Sequence, residues 1–99
     1  MAADLAAIVA AATSGMGPII SVHYLADRMG AADRPWPTEI LFGLTEDEPR
    51  VVRDQGEGLT QDPRGAVCEV SCQNSNGRGM IVRVNYEKTP MVMVTAFYA

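Results

Sequence analysis

His23 is the only histidine in this 99-residue sequence and the residue best suited to proton transfer at neutral pH. An imidazole with a pKa of about 6.5 can act as a general acid or base, which contributes roughly 10²–10⁴ to a rate. The predicted helix over residues 19–29, ending at Gly30, places His23 beside an apolar stripe formed by Val22, Leu25, Ala26 and Met29. A histidine in such a place is also typical of a hydrogen-bonded boundary residue, and both interpretations stay open.

A second group of chemically capable side chains comes from the alternation of two C-terminal segments. If Val82 and Val84 face the core, the residues that alternate with them in the same segment face outward. In the last segment, the aliphatic residues are likewise placed on the inside. The outward set is then Arg83, Asn85, Thr95 and Phe97. A cation, hydrogen-bonding groups and an aromatic ring can hold a phosphate and stack a base. The alternative is an ordinary polar face of an antiparallel sheet.

The elements that position these residues divide the sequence into two halves. Helical spacing predicts helices over residues 2–13, 19–29 and 39–44, the last with Thr38 as N-cap. Alternation predicts strands over residues 50–54, 66–72, 79–87 and 91–98, with a long loop over 55–65 and an Asn76-Gly77 hairpin turn. We therefore expect one α+β domain over residues 1–99. Helices from residues 1–48 would cover one face of an antiparallel sheet of about four strands from residues 49–99.

The charge distribution limits the choice of partners. Net charge is −4, which divides into −5 over residues 1–49 and +1 over residues 50–99. An acidic chain is not a general nucleic-acid binder, although a small arginine site in the second half remains compatible with it. The acidic turn Glu46, Asp47 and Glu48 could instead contact a basic protein. Trp36, between two prolines, is either a lid over the core or an exposed recognition residue.

Several classes of protein are excluded by the sequence. It has no apolar stretch of the roughly 20 residues that a membrane helix needs, and Asp4 stands where a signal peptide would be basic. Cys68 and Cys72 share one face of a predicted strand about 13 Å apart, too far for a disulfide, and are expected to be buried. Nucleophile-elbow, phosphate-loop, dinucleotide and zinc-protease motifs are absent. We expect a cytoplasmic protein without a metal ion or cofactor.

The order of motifs resembles the barnase–EndoU–colicin–RelE-like group of small ribonuclease toxins. The similarity covers residues 19–99 and rests on Ser21-x-His23-x-x-x-x-Arg28, on Gly77-Arg78-x-x-Ile81-x-Arg83-Val84, and on the closing Val94-Thr95-Ala96-Phe97-Tyr98. It is greatest for the branch that has a histidine on its first helix and a final Val-Thr-Ala-Tyr strand.

The resemblance implies metal-independent RNA cleavage by attack of a 2′-hydroxyl on the adjacent phosphate. His23 would be the general acid or base, Arg83 would hold the scissile phosphate, and Thr95 would bond the phosphate or orient the nucleophile. Substrate-binding positions would be Arg78, Asn85 and Phe97, and an immunity or antitoxin protein would be a natural partner. The chain departs from the group in being acidic and in having no Lys or Arg directly after His23.

A hypothesis of a different class is a non-catalytic inhibitor. A small acidic protein can block a nucleic-acid-handling partner, as anti-defence proteins and antitoxins do, and here Trp36 with Glu46, Asp47 and Glu48 would form the contact. A third possibility is a subunit that dimerises by pairing an exposed strand edge, so the chain is expected to be a monomer or a homodimer.

Overall fold

The computed structural model describes residues 3–28, 31–55 and 65–99. The predicted helix start at Ala2, the predicted stripe residue Met29, the stop at Gly30 and residues 56–64 of the predicted loop lie outside the described residues. The helices are α1 (Leu5–Ser14), α2 (Val22–Asp27) and α3 (Pro37–Thr45). The strands are β1 (Ile19–Ile20), β2 (Arg50–Asp54), β3 (Val67–Gln73), β4 (Gly79–Asn85) and β5 (Val92–Tyr98).

These strands form one five-stranded sheet in the order β1-β5-β4-β3-β2. Neighbours from β2 to β5 are antiparallel, whereas β1 lies parallel to β5, with Ile19 opposite Val92. The α+β class is confirmed, but the predicted sheet of about four antiparallel strands lacked β1. Ile19–Ile20 were predicted to be helical, yet α2 begins only after Ser21, whose hydroxyl accepts the Tyr24 N–H. Residues before an N-cap are extended, so they are free to join the sheet edge.

The core lies between the helices and the inner face of β3, β4 and β5. The sheet contributes Cys68, Val70, Cys72, Met80, Val82, Val84, Met93 and Ala96, and the helices contribute Ile8, Ala12, Tyr24, Ile40 and Leu44. Both cysteines are free and buried, as predicted. Along β3 and β4, alternate residues therefore point to the helices and to the opposite, outer face of the sheet.

Helix α2 buries a different residue from those predicted. Val22 is 80% exposed and Leu25 is 42% exposed, whereas Tyr24 is fully buried and donates its hydroxyl to the Pro35 carbonyl at 2.6 Å. The predicted apolar stripe on this helix is wrong, because its described members, Val22, Leu25 and Ala26, are all exposed. A single aromatic side chain attaches it to the core.

Helix α3 starts two residues earlier than predicted. Trp36, not Thr38, is the N-cap residue, and its backbone N–H donates to the Glu39 carboxylate at 2.6 Å. Trp36 is 52% exposed while its neighbour Pro35 is buried, so Trp36 is not the lid over the core. None of the helices in the described ranges has the length and hydrophobicity of a membrane-spanning segment.

Candidate phosphate-binding face

The outer face of the sheet, opposite the helices, carries two rows of side chains that cross the strands. One row consists of Arg53, Glu69, Arg83 and Thr95, and the second consists of Arg50, Ser71, Ile81 and Phe97. The strand register makes Arg83 and Thr95 direct neighbours on adjacent antiparallel strands. The sequence-based expectation that these two residues share the outer face agrees with this register.

A β-bulge in β5 makes this arrangement possible. Thr95 lies opposite Arg83, but Met93 rather than Val94 lies opposite Val84. Met93 and Ala96 are both buried, although simple alternation would place them on opposite faces. Strict alternation along β5 would place Met93 outward with Thr95 and Phe97, but the bulge adds one residue to β5 between Met93 and Thr95, so Met93 faces the core instead.

Asn85 does not belong to an open surface. It is 2% exposed, and its side-chain oxygen accepts the Glu87 N–H at 3.2 Å. Val67 and Glu69 on the same face are also buried. The predicted open position of Asn85 is therefore wrong: this end of the outer face is covered, and the accessible part lies toward Thr95 and Phe97.

Arg83 has a fixed anionic partner. Its Nε donates to Glu69 Oε2 at 2.9 Å, and the Arg83 side chain is 40% exposed while that of Glu69 is 8% exposed. The carboxylate orients the guanidinium from within the sheet. Because guanidinium has five N–H donors, the terminal nitrogens of Arg83 can still bind an anion at the surface.

Arg34 was not among the predicted site residues, yet it contacts β5. Its Nη1 donates to the Thr95 hydroxyl and to the Ala96 carbonyl, both at 3.1 Å, and its guanidinium carbon lies 5.9 Å from the centroid of the Phe97 ring. The preceding residue fixes the loop, since the Asp33 carbonyl accepts the Tyr98 N–H at 3.0 Å. Arg34 sits in an irregular segment before two prolines, where no periodicity could have assigned it to β5.

His23 is on the surface of α2, with its side chain 67% exposed. Its Nδ1 lies 2.9 Å from Asp27 Oδ2, one helical turn away. With Nδ1 held by the carboxylate, Nε2 is the nitrogen left for proton exchange. Ser21 attaches the start of this helix to β5, because its hydroxyl donates to the Val94 carbonyl at 3.1 Å. The helix that carries His23 thus begins beside the residue preceding Thr95.

Arg78 lies in a different cluster. Its guanidinium carbon is 3.6 Å from the centroid of the Tyr98 ring, and the Tyr98 hydroxyl donates to the two Glu39 oxygens at 2.7 and 2.9 Å. Asn74 donates its side-chain amide to the same carboxylate at 2.8 Å. Burial acts to raise the pKa of Glu39, but these hydrogen bonds and that from Trp36 outweigh it and hold the pKa below its ordinary value. This cluster joins α3 to the hairpin and the end of β5.

The acidic turn is only partly available to a partner. Glu46 and Glu48 are exposed, whereas the Asp47 carboxylate accepts the Gln73 N–H at 2.8 Å. Asp47 therefore links the turn to β3.

In comparisons with known proteins, no family model, no curated protein and no solved structure matches the chain. Within residues 3–28, 31–55 and 65–99, no cluster of three or more His, Cys, Asp or Glu side chains could hold a metal ion.

Proposed function

We propose that this protein is a metal-independent endoribonuclease of the bacterial toxin type, with its phosphate site at Arg83 and Thr95. The observation that carries the proposal is the placement of these two side chains as cross-strand neighbours on the outer face. A guanidinium beside a hydroxyl offers charge-assisted and neutral hydrogen bonds to the same phosphate.

Arg34 and Phe97 extend this site. The Arg34 guanidinium is bonded to Thr95, so it places a positive charge beside the hydroxyl. The Phe97 ring, which is partly exposed, offers a surface on which a base can stack. In this proposal one phosphate of a single-stranded RNA lies at Arg83 and Thr95, and a neighbouring base stacks on Phe97.

His23 is the group proposed to transfer protons. In cleavage by the adjacent 2′-hydroxyl, the new O–P bond gives a 2′,3′-cyclic phosphate and the 5′-oxygen leaves. Nε2 of His23 accepts the 2′-hydroxyl proton, and a proton is returned to the 5′-oxygen by His23 or by water. Asp27 positions the imidazole through Nδ1.

The test is an RNA-degradation assay with purified protein in EDTA, using a single-stranded RNA labelled at its 5′ end. We expect cleavage to products with cyclic phosphate ends and a loss of about 10²-fold or more for His23→Ala. Arg28→Ala is the matched control, because Arg28 is an exposed residue at the end of the same helix. This variant should remain active. RNA that stays intact at micromolar wild-type protein would exclude this function.

A second candidate is the non-catalytic acidic inhibitor of a nucleic-acid-handling protein. The exposure of Glu46, Glu48 and Trp36 favours it. In this case the wild-type protein leaves RNA intact and binds a basic partner. Reversal of charge by Glu46→Lys with Glu48→Lys should weaken that binding, as should added salt. Unchanged affinity after charge reversal would exclude the electrostatic contact.

A further inference from the structure

An apolar groove of about 280 Å³ lies on the helical side of the protein, between β1 and α3. Its lining includes core residues of α3, Ile40 and Leu44, and two side chains that stand at the surface, Ile19 and Leu41. Ile19 and Leu41 are each 52% exposed. The groove, called here the Ile19–Leu41 groove, therefore opens from the core to solvent.

Other exposed apolar side chains lie in the same part of the chain. In the described ranges, six of the seven large exposed hydrophobic residues come from α1, β1, α2 and α3 or the segments that join them: Met16, Ile19, Val22, Leu25, Trp36 and Leu41. Trp36 directly precedes Pro37, which also lines the groove. Exposed apolar side chains that line a concavity, here Ile19 and Leu41, indicate an interaction surface, and tryptophan is typical of residues that dominate binding energy.

Charge selects the kind of partner. In the described part of residues 3–49, five exposed carboxylates, Asp4, Asp27, Asp33, Glu46 and Glu48, stand against one exposed cation, Arg28. Arg34 offsets only Asp33, whose Oδ2 lies 3.6 Å from Arg34 Nε, and its Nη1 is turned onto β5, so the exposed surface of this part of the chain stays negative. A second copy of this chain would bring the same negative charge to the contact, and like charges across an interface disfavour it. A basic partner gains from the same distribution.

We propose that the Ile19–Leu41 groove binds an amphipathic helical segment of a partner protein, with apolar side chains in the groove and Lys or Arg residues that pair with the exposed carboxylates of residues 3–49. The binding mode is a helix laid into a groove, in which residues spaced three and four apart act as anchors. The proposal does not depend on ribonuclease activity, and it gives the second candidate function an apolar contact site.

The experiment uses two synthetic peptides, an amphipathic helix of Leu and Lys and the same peptide with every Lys replaced by Glu. Trp36 is the only tryptophan, so its fluorescence reports binding beside the groove without a label. We expect the Lys peptide to shift the emission to shorter wavelength in a saturable titration that weakens with salt. The Glu peptide should cause no shift. Equal shifts with both peptides, or no shift with either, would overturn the proposal.

Paired variants locate the contact. Ile19→Thr on β1 and Leu41→Gln on α3 should each weaken Lys-peptide binding by about tenfold. Val52→Thr is the matched control, because Val52 is 43% exposed on β2 at the other end of the sheet, and it should leave binding unchanged. An equal loss with Val52→Thr would contradict the assignment.

Two further measurements distinguish peptide binding in the groove from RNA cleavage and from self-association. Thr95→Val should bind the peptide normally whether or not the protein cleaves RNA. Sedimentation should show no self-association. A concentration-dependent dimer that Ile19→Thr abolishes would assign the groove to a second copy and overturn the basic partner.

Discussion

Thr95 on β5 lies directly across from Arg83 on β4, and its hydroxyl accepts a hydrogen bond from Arg34 at 3.1 Å. The register thus places Arg83 and Thr95 side by side on the outer face, while Arg34, from a distant part of the sequence, bonds the Thr95 hydroxyl directly. Neither arginine is free to move widely, because Arg83 is bonded to Glu69 and Arg34 to the Ala96 carbonyl. Preorganised donors of this kind favour binding of an anion, since little side-chain entropy remains to be lost.

Thr95→Val keeps the shape of the side chain but removes the hydroxyl, and we expect it to lower kcat/KM for RNA cleavage. The expected loss is about tenfold to a hundredfold, corresponding to one hydrogen bond to a charged group. Thr45→Val on α3 is the matched control, because the Thr45 hydroxyl donates only to the Leu41 carbonyl of its own helix. Full activity of Thr95→Val would remove Thr95 from the site.

Arg83→Met should destabilise the fold by leaving the Glu69 carboxylate, 8% exposed, without its partner. Such a change costs on the order of 1–3 kcal/mol, and partial exposure of Arg83 places the expected value at the lower end. Urea unfolding measures the free energy. The double variant Arg83→Met with Glu69→Leu should recover most of the lost free energy of unfolding. If its loss equalled the sum of the losses of the two single variants, the two side chains would not be coupled.

The stability contributed by Asp54 should depend on pH. Asp54 accepts the Tyr86 hydroxyl at 2.6 Å and the Ala3 N–H at 2.7 Å. Burial acts to raise the pKa of Asp54, but these bonds and that from the Gln55 N–H hold it below its ordinary 3.8. A carboxyl whose pKa is lower in the folded state than in the unfolded state contributes its full stabilisation above the unfolded value of 3.8. That stabilisation is lost as the pH falls through the folded pKa.

Tyr86→Phe should therefore cost about 1–2 kcal/mol near neutral pH, and the cost should shrink below about pH 3.8. Tyr24→Phe is the matched control, since its hydroxyl bonds the Pro35 carbonyl, which does not titrate in this range. Urea unfolding at a series of pH values compares the two variants. If the cost of Tyr86→Phe did not change with pH, as expected for Tyr24→Phe, the assigned role of Asp54 would be contradicted.

Gly43→Ala should destabilise the protein although alanine favours helix. A Cβ at Gly43 would lie 2.5 Å from Met80 Cε and 2.7 Å from Cys72 Sγ. Overpacking of about 1–3 kcal/mol exceeds the roughly 1 kcal/mol gained in helix propensity. Thermal unfolding should show a lower midpoint, and Cys72→Ala in the same chain should partly reverse the effect. A stabilised Gly43→Ala single variant would show that α3 can shift away from the sheet.

The two thiols should be unreactive in the folded protein. Burial raises the pKa of Cys68 and of Cys72 to about 12, so the thiolate, which is the nucleophile, is nearly absent at pH 8. A chromogenic disulfide reagent should titrate two thiols in urea and react only slowly without it. Rapid reaction of the native protein would show that the inner face of β3 opens to solvent.

The elements that the sequence predicted correctly are those with a strong local signal. The strand Arg50–Asp54 has the predicted bounds, and β3, β4 and β5 differ from their predictions only at the ends. The turn at Asn76-Gly77 is present with a φ of 78° at Gly77, which glycine adopts without strain. Period-two alternation also placed Cys68, Val70 and Cys72 correctly on the inner face.

Alternation and composition by themselves determined that β4 points Arg83 away from Val82 and Val84, and that the first half of the chain is acidic. The tertiary structure decided the rest. Pairing of Ile19–Ile20 with β5, the bulge that buries Met93, and the attachment of Arg34 to Thr95 all depend on contacts between residues far apart in sequence. Local patterns carry no information about such contacts, because a bulge or an edge pairing is selected by which neighbour satisfies the backbone and fills the core.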